Sequence, residues 1–173
     1  MSGNKVRNFY WDACIFIAWL KNEQRSNLMD MAGINEQVDL FKKGNVQLAT
    51  SVITLIEVLA SGVSPGNRDR LEQLFRRRNY HLIEVNRKIA DIAHEIRDYY
   101  QQQGGADGLP TIATPDAIHL ATAIWYKCDI LCTFDANDKR GRQRGLIPLN
   151  QNVAGKYDLV IAKPKPTQLP LGL

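Results

Sequence analysis

The sequence predicts an α/β fold: a three-layer α/β/α sandwich around a central, mostly parallel sheet. Short β-branched and aromatic runs alternate with helix-length apolar or amphipathic segments along the chain. Several of these runs are apolar on both faces, as strands covered by helices on each side must be. The 173 residues suffice for one domain with a substantial core. That domain is assigned to residues 1–163, followed by a Pro-rich tail at 164–173 that reads as frayed.

The first strand is "VRNFYWD", ending at Asp12, and it runs directly into the apolar helical segment "ACIFIAWLKN". A second helix spans about Ser26 to Lys43, with Leu28, Met31, Val38 and Phe41 on or near one face and Gly44 as a stop signal. "VQLATS" reads as strand and "VITLIEVLA" as helix, ending at Ser61 and Gly62. "RDRLEQLFRRR" has an apolar face of Leu71, Leu74 and Phe75 and leads into the strand "YHLIEV". Asn86 caps the next helix, whose Ile89, Ile92, Ala93, Ile96 and Tyr100 recur at core-facing spacing.

Residues Gln101 to Ala113 read as a glycine-containing loop. Thr114 as N-cap and Pro115 at N1 then start a helix that places Asp116 at N2. The strand "DILCTF", a basic loop "DKRGRQRG", a short "LIPLN" and a last strand "DLVIA" complete the domain. No internal repeat is present.

Composition sets the broad class. With 45% hydrophobic and 23% charged residues the chain is an ordinary globular protein, and a net charge of +4 is only a mild invitation to polyanions. No apolar run reaches the roughly 18–20 residues of a membrane span, and the N-terminus lacks a signal-peptide pattern, so a cytoplasmic location with no membrane partner is expected. Cys14, Cys128 and Cys132 are too few for a disulfide framework and lack zinc-site spacing, and they read as buried thiols.

Four acids carry the chemistry. Asp12 alone reads as an N-cap, Asp116 as a first-turn acid suited to the helix dipole, and Asp135 as the head of an Asx turn. Glu57 differs, because it sits in a helix apolar on nearly every side with no Lys or Arg within a turn. A buried carboxylate there needs a proton, a partner or a cation. In a parallel α/β sheet, groups at strand carboxyl ends and helix starts collect on one edge, so all four acids can share one pocket. Their mutual repulsion is tolerable only with hard divalent cations, and oxygen donors without a thiolate or imidazole cluster indicate Mg2+ or Mn2+. Such a site hydrolyses phosphate esters.

The succession "YWDACIFIAWL", "TSVITLIEVLASG" and "ATPDAIHLATAIWYKCDILCTFDAND" resembles the PIN-domain family, and within it the VapC-like ribonuclease toxins. The resemblance extends from about Val6 to Val160. It implies that Asp12, Glu57, Asp116 and Asp135 form the catalytic, Mg2+- or Mn2+-binding quartet, with Asp138 as a further ligand candidate and Thr133 supporting the site through its hydroxyl. It further implies metal-dependent endonucleolytic cleavage of RNA, a homodimer, and a cognate antitoxin protein of a type II toxin–antitoxin pair. The second helix and the loop "GGADGLPTIA" are larger than the short toxin pattern, and the basic run after Asp135 is heavier.

Among the remaining charges, Arg76, Arg77 and Arg78 read as a solvated helix C-terminus. Lys139, Arg140, Arg142 and Arg144 are expected to meet the RNA backbone, with antitoxin contact as the rival use. His119 reads as a packed, hydrogen-bonded residue rather than an acid or base. His81 and His94 carry no assignment. Aspartyl-nucleophile phosphatases are a rival class, but they need a second Asp two residues after the first, where Cys14 stands. The non-enzymatic alternative is a degenerate PIN module that binds RNA or a partner protein without cleavage, and four intact acids argue against it.

Overall fold

The structure, a computed structural model, describes residues 6–23, 27–107, 111–136 and 144–167. Among them, β1 (Arg7–Trp11), β2 (Val46–Ser51), β3 (Tyr80–Ile83), β4 (Ile130–Cys132) and β5 (Ile161–Ala162) form one sheet. All pairings are parallel, in the order β3-β2-β1-β4-β5. The flanking helices are α1 (Ala13–Lys21), α2 (Leu28–Lys42), α3 (Ile53–Ala60), α4 (Pro65–Phe75), α5 (Arg87–Asp107) and α6 (Thr114–Trp125). The expected sandwich and parallel sheet are what the chain forms.

Strand β1 is central, and its alternation builds both cores at once. Phe9 and Trp11 face a core with Ile15 and Phe16 of α1, Ile34 and Phe41 of α2, and Leu71 of α4. Tyr10 faces the other, with Ile89 and Ile96 of α5 and Leu120 of α6. The chain adds β2 and β3 on one side of β1, then crosses to add β4 and β5 on the other. The order therefore reverses beside β1, and a crevice opens there at the carboxyl ends of β1 and β4.

Several boundaries differ from expectation, each for a local reason. Helix α4 starts at Pro65, because the Ser64 side chain accepts the Asn67 N–H and caps it, and it ends at Phe75 before the three arginines. Helix α5 continues to Asp107, over the first part of the expected loop, whereas residues 111–113 are non-helical as expected. Gln102 donates to Asp98 at 2.7 Å and Gln103 to Tyr99 at 3.0 Å, and these i,i+4 pairs carry the helix past the end of its apolar stripe. In α2 the buried positions include Gly33, Ile34, Val38 and Phe41, whereas Leu28 is exposed. "LIPLN" forms a 3-10 turn at Ile147–Leu149, and the last strand shortens to two residues.

The start of the Pro-rich segment is not frayed. Pro164 lies so close to Gly33 that a Cβ there would meet its carbonyl carbon at 2.4 Å, and Thr167 donates its N–H and hydroxyl to Glu36. Among the described residues no helix is long and apolar enough to cross a membrane.

Candidate active site

Asp12, Glu57, Asp116 and Asp135 all line one cleft of about 450 Å³, together with Ala13, Cys14, Ile17, His119 and Phe134. Each acid arrives on a different segment. Asp12 is the extended residue between β1 and α1, and its Oδ1 caps the helix by accepting the Ile15 N–H at 3.3 Å. The capping reading and the cleft position therefore both hold for the same side chain. The Cys14 thiol donates to the same Oδ1 at 2.8 Å.

Cys14 is half-buried rather than buried as expected, and it ties the two strand ends together. Its sulfur accepts the Phe134 N–H at 3.2 Å, beyond the end of β4. Burial, reinforced by the charge of Asp12, pushes this thiol well above its ordinary pKa. The Thr133 hydroxyl accepts the Asp135 N–H at 3.0 Å, and the Asp135 carbonyl accepts the N–H groups of Leu146 and Ile147, both at 2.9 Å. These backbone bonds fix where Asp135 leaves the sheet.

Asp116 lies in the first turn of α6, one residue deeper than expected. The first helical bond runs from the Ala117 N–H to the Ala113 carbonyl, so Ala113 is the N-cap and Thr114 and Pro115 are already helical. Glu57 departs further from expectation. Its helix is not enclosed, since Ile56 is 72% exposed and Leu59 is exposed too, and Glu57 itself is half-buried at 33%. Nor does it lack a partner, because His119 Nε2 lies 2.9 Å from its Oε2.

His119 is 2% exposed, and its other nitrogen, Nδ1, lies 2.7 Å from the Tyr10 hydroxyl. The expected packed, hydrogen-bonded histidine is what the fold contains, but its place in the cleft was not legible. The only hint was its position three residues after Asp116, on a neighbouring part of the same helix face.

The donor set suits a hard divalent cation, since four carboxylates from four segments border one cleft. Among the described residues, no group of three or more His, Cys, Asp or Glu side chains is closed into a metal-binding cluster. Asp138, Lys139, Arg140 and Arg142 lie outside the described residues. Arg144 does not join a basic surface: it is 8% exposed, with its guanidinium over the Tyr100 ring at 4.8 Å and its N–H bonded to the Thr111 carbonyl.

A family model for the PIN domain matches residues 9–141. No curated protein sequence matches the chain. In fold, the chain is similar to a crystal structure of VapBC2 from Rickettsia felis bound to a DNA fragment from its promoter, with a TM-score of 0.60 at 17% identity over 89% of this chain and 96% of that one. It is also similar to a toxin–antitoxin complex from Klebsiella pneumoniae, with a TM-score of 0.50 at 22% identity over 72% of this chain and 83% of that one.

Proposed function

Because this chain belongs to the PIN-domain family, we propose that it is a Mg2+- or Mn2+-dependent endoribonuclease, the toxin of a type II toxin–antitoxin pair. The observation that carries this reading is the meeting of Asp12, Glu57, Asp116 and Asp135, from four separate segments, in one cleft at the switch point of a parallel sheet.

Those four residues would hold the cation, with Asp138 as a further candidate. When bound, the ion supplies the positive charge that lets four carboxylates share a cleft and that favours phosphodiester displacement by water. The chain's own groups do the rest. Asp12 and Glu57 each offer a second carboxylate oxygen that receives no hydrogen bond from the described residues, able to orient water or accept its proton. Thr133 and Cys14 hold the Asp135 and Asp12 segments in register across the strand ends. Ala13, Ile17 and Phe134 give the cleft an apolar wall for a sugar or base face.

The likeness in fold to toxin–antitoxin complexes supports an antitoxin as partner. The outward apolar side of α3, with Ile56 and Leu59, suits burial against a second copy of the chain.

The test is cleavage of RNA by purified protein. Activity should require Mg2+ or Mn2+, stop on addition of EDTA, and be lost in Asp12→Asn and Asp116→Asn with the fold intact by circular dichroism. Full activity in either variant refutes the metal mechanism, and RNA binding without any cleavage would establish the non-cutting module instead.

A further inference from the structure

Three buried groups connect the sheet to the cleft in an unbroken line. The Ser51 N–H, at the end of β2, donates to the Tyr10 hydroxyl at 3.1 Å. That hydroxyl lies 2.7 Å from His119 Nδ1, and His119 Nε2 lies 2.9 Å from Glu57 Oε2. Tyr10 is fully buried and His119 nearly so, which leaves no solvent to substitute for any of these bonds.

We infer that His119 is a positioning residue, held by Tyr10 as the Nε2–H tautomer so that it fixes the Glu57 carboxylate in the acidic cleft. This rests on the reading of that cleft as a metal centre.

The tautomer follows from counting donors. The Tyr10 oxygen already receives the Ser51 N–H at 3.1 Å, and its one hydrogen is available to the His119 ring, the partner it meets at 2.7 Å. Nδ1 is the nitrogen it meets at 2.7 Å, and a nitrogen that accepts carries no hydrogen. The imidazole proton is then on Nε2, facing a carboxylate oxygen that can only accept. The reverse tautomer would set two lone pairs against each other at 2.9 Å and leave the phenol hydrogen without that acceptor.

The consequence is geometric. Glu57 stands on α3 in a half-exposed position, and repulsion from the other acids would swing a free carboxylate toward solvent. Engaging Oε2 prevents that and turns Oε1 to the cleft. Because His119 and Asp116 share α6, the bond also ties the Glu57 helix to the Asp116 helix without an acid–acid contact. Partners of this kind on ligating carboxylates typically carry a 10- to 100-fold effect, roughly, on metal affinity or activity.

The experiment has two arms. In metal-free wild-type protein, 15N-resolved NMR of the imidazole should show Nε2 protonated and Nδ1 bare; a protonated Nδ1 overturns the inference. Mn2+ binding, read by electron paramagnetic resonance, should weaken roughly 10- to 100-fold in His119→Ala and recover in part in His119→Gln, whose amide can still donate. In a Glu57→Gln background, His119→Ala should add nothing, whereas a merely structural histidine would cost the same in both backgrounds. Wild-type protein that binds Mn2+ while His119→Ala binds it equally well refutes this inference alone. Wild-type protein that takes up no Mn2+ refutes the metal centre and this inference with it.

Discussion

Tyr10→Phe isolates the hydroxyl at the centre of the buried relay. The ring stays, so its packing against Ile89, Ile96 and Leu120 and its edge contact with the His119 ring at 5.8 Å persist. What disappears is one oxygen that accepts the Ser51 N–H at 3.1 Å and lies in hydrogen-bond contact with His119 Nδ1 at 2.7 Å. Both partners are buried, and each orphaned buried polar group costs about 1–3 kcal/mol. A destabilisation of about 3 kcal/mol is therefore expected, because the small apolar gain of removing the oxygen offsets only part of two such penalties. In a domain of this size each kcal/mol moves the midpoint by about 2–4 °C, so Tm should fall by roughly 6–12 °C. Equilibrium unfolding in urea at unchanged m-value reads the same quantity directly. A loss under about 0.5 kcal/mol, the scale of an inconsequential surface change, would refute the claim that this hydroxyl satisfies two buried groups.

Other consequences follow from single contacts. Burial pushes the thiols of Cys128 and Cys132 up to about 12, and that of Cys14 upward as well, so at pH 8 Ellman's reagent should label the native protein slowly and react with three thiols once guanidinium unfolds it; rapid labelling of the native protein would show that these thiols are not held protonated. Asn86→Ala removes the oxygen that accepts the Ile89 N–H at 3.1 Å and should cost about 1 kcal/mol in urea unfolding, with no change expected if α5 is capped another way. Gly33→Ala places a methyl 2.4 Å from Pro164 backbone, so residues 163–167 should leave α2 and the Thr167 amide resonance should move to an unstructured position; an unmoved resonance would contradict the close approach. Ile56→Glu should lower the mass measured by light scattering from dimer to monomer if α3 meets a second copy, and an unchanged dimer would place that contact elsewhere.

The sequence by itself determined whatever depends on near neighbours. Alternating strand and helix patterns specified a parallel sheet with both faces covered, and "VQLATS" is β2 residue for residue. Asp12 and Asp135 were legible because a strand that ends in an acid aims it at the same edge as every other parallel strand end. Asp116 was legible to within one residue, for Ala113 rather than Thr114 takes the cap once the Ala117 N–H bonds back to it. Where prediction and structure part, the cause is a distant contact or a side-chain bond that outweighs the local signal. Side-chain pairs carry α5 into the first part of the expected loop, and Arg144 leaves the basic run for the ring of Tyr100. The surroundings of Glu57 turned on distance along the chain: its partner His119 is 62 residues away, and that histidine is 109 residues from the tyrosine behind it. Only tertiary packing brings β1, α3 and α6 together, because hydrophobic burial on the two sides of the sheet sets where the helices lie. Periodicity reports which face of a helix is buried, but not which side chain from another element will meet it there.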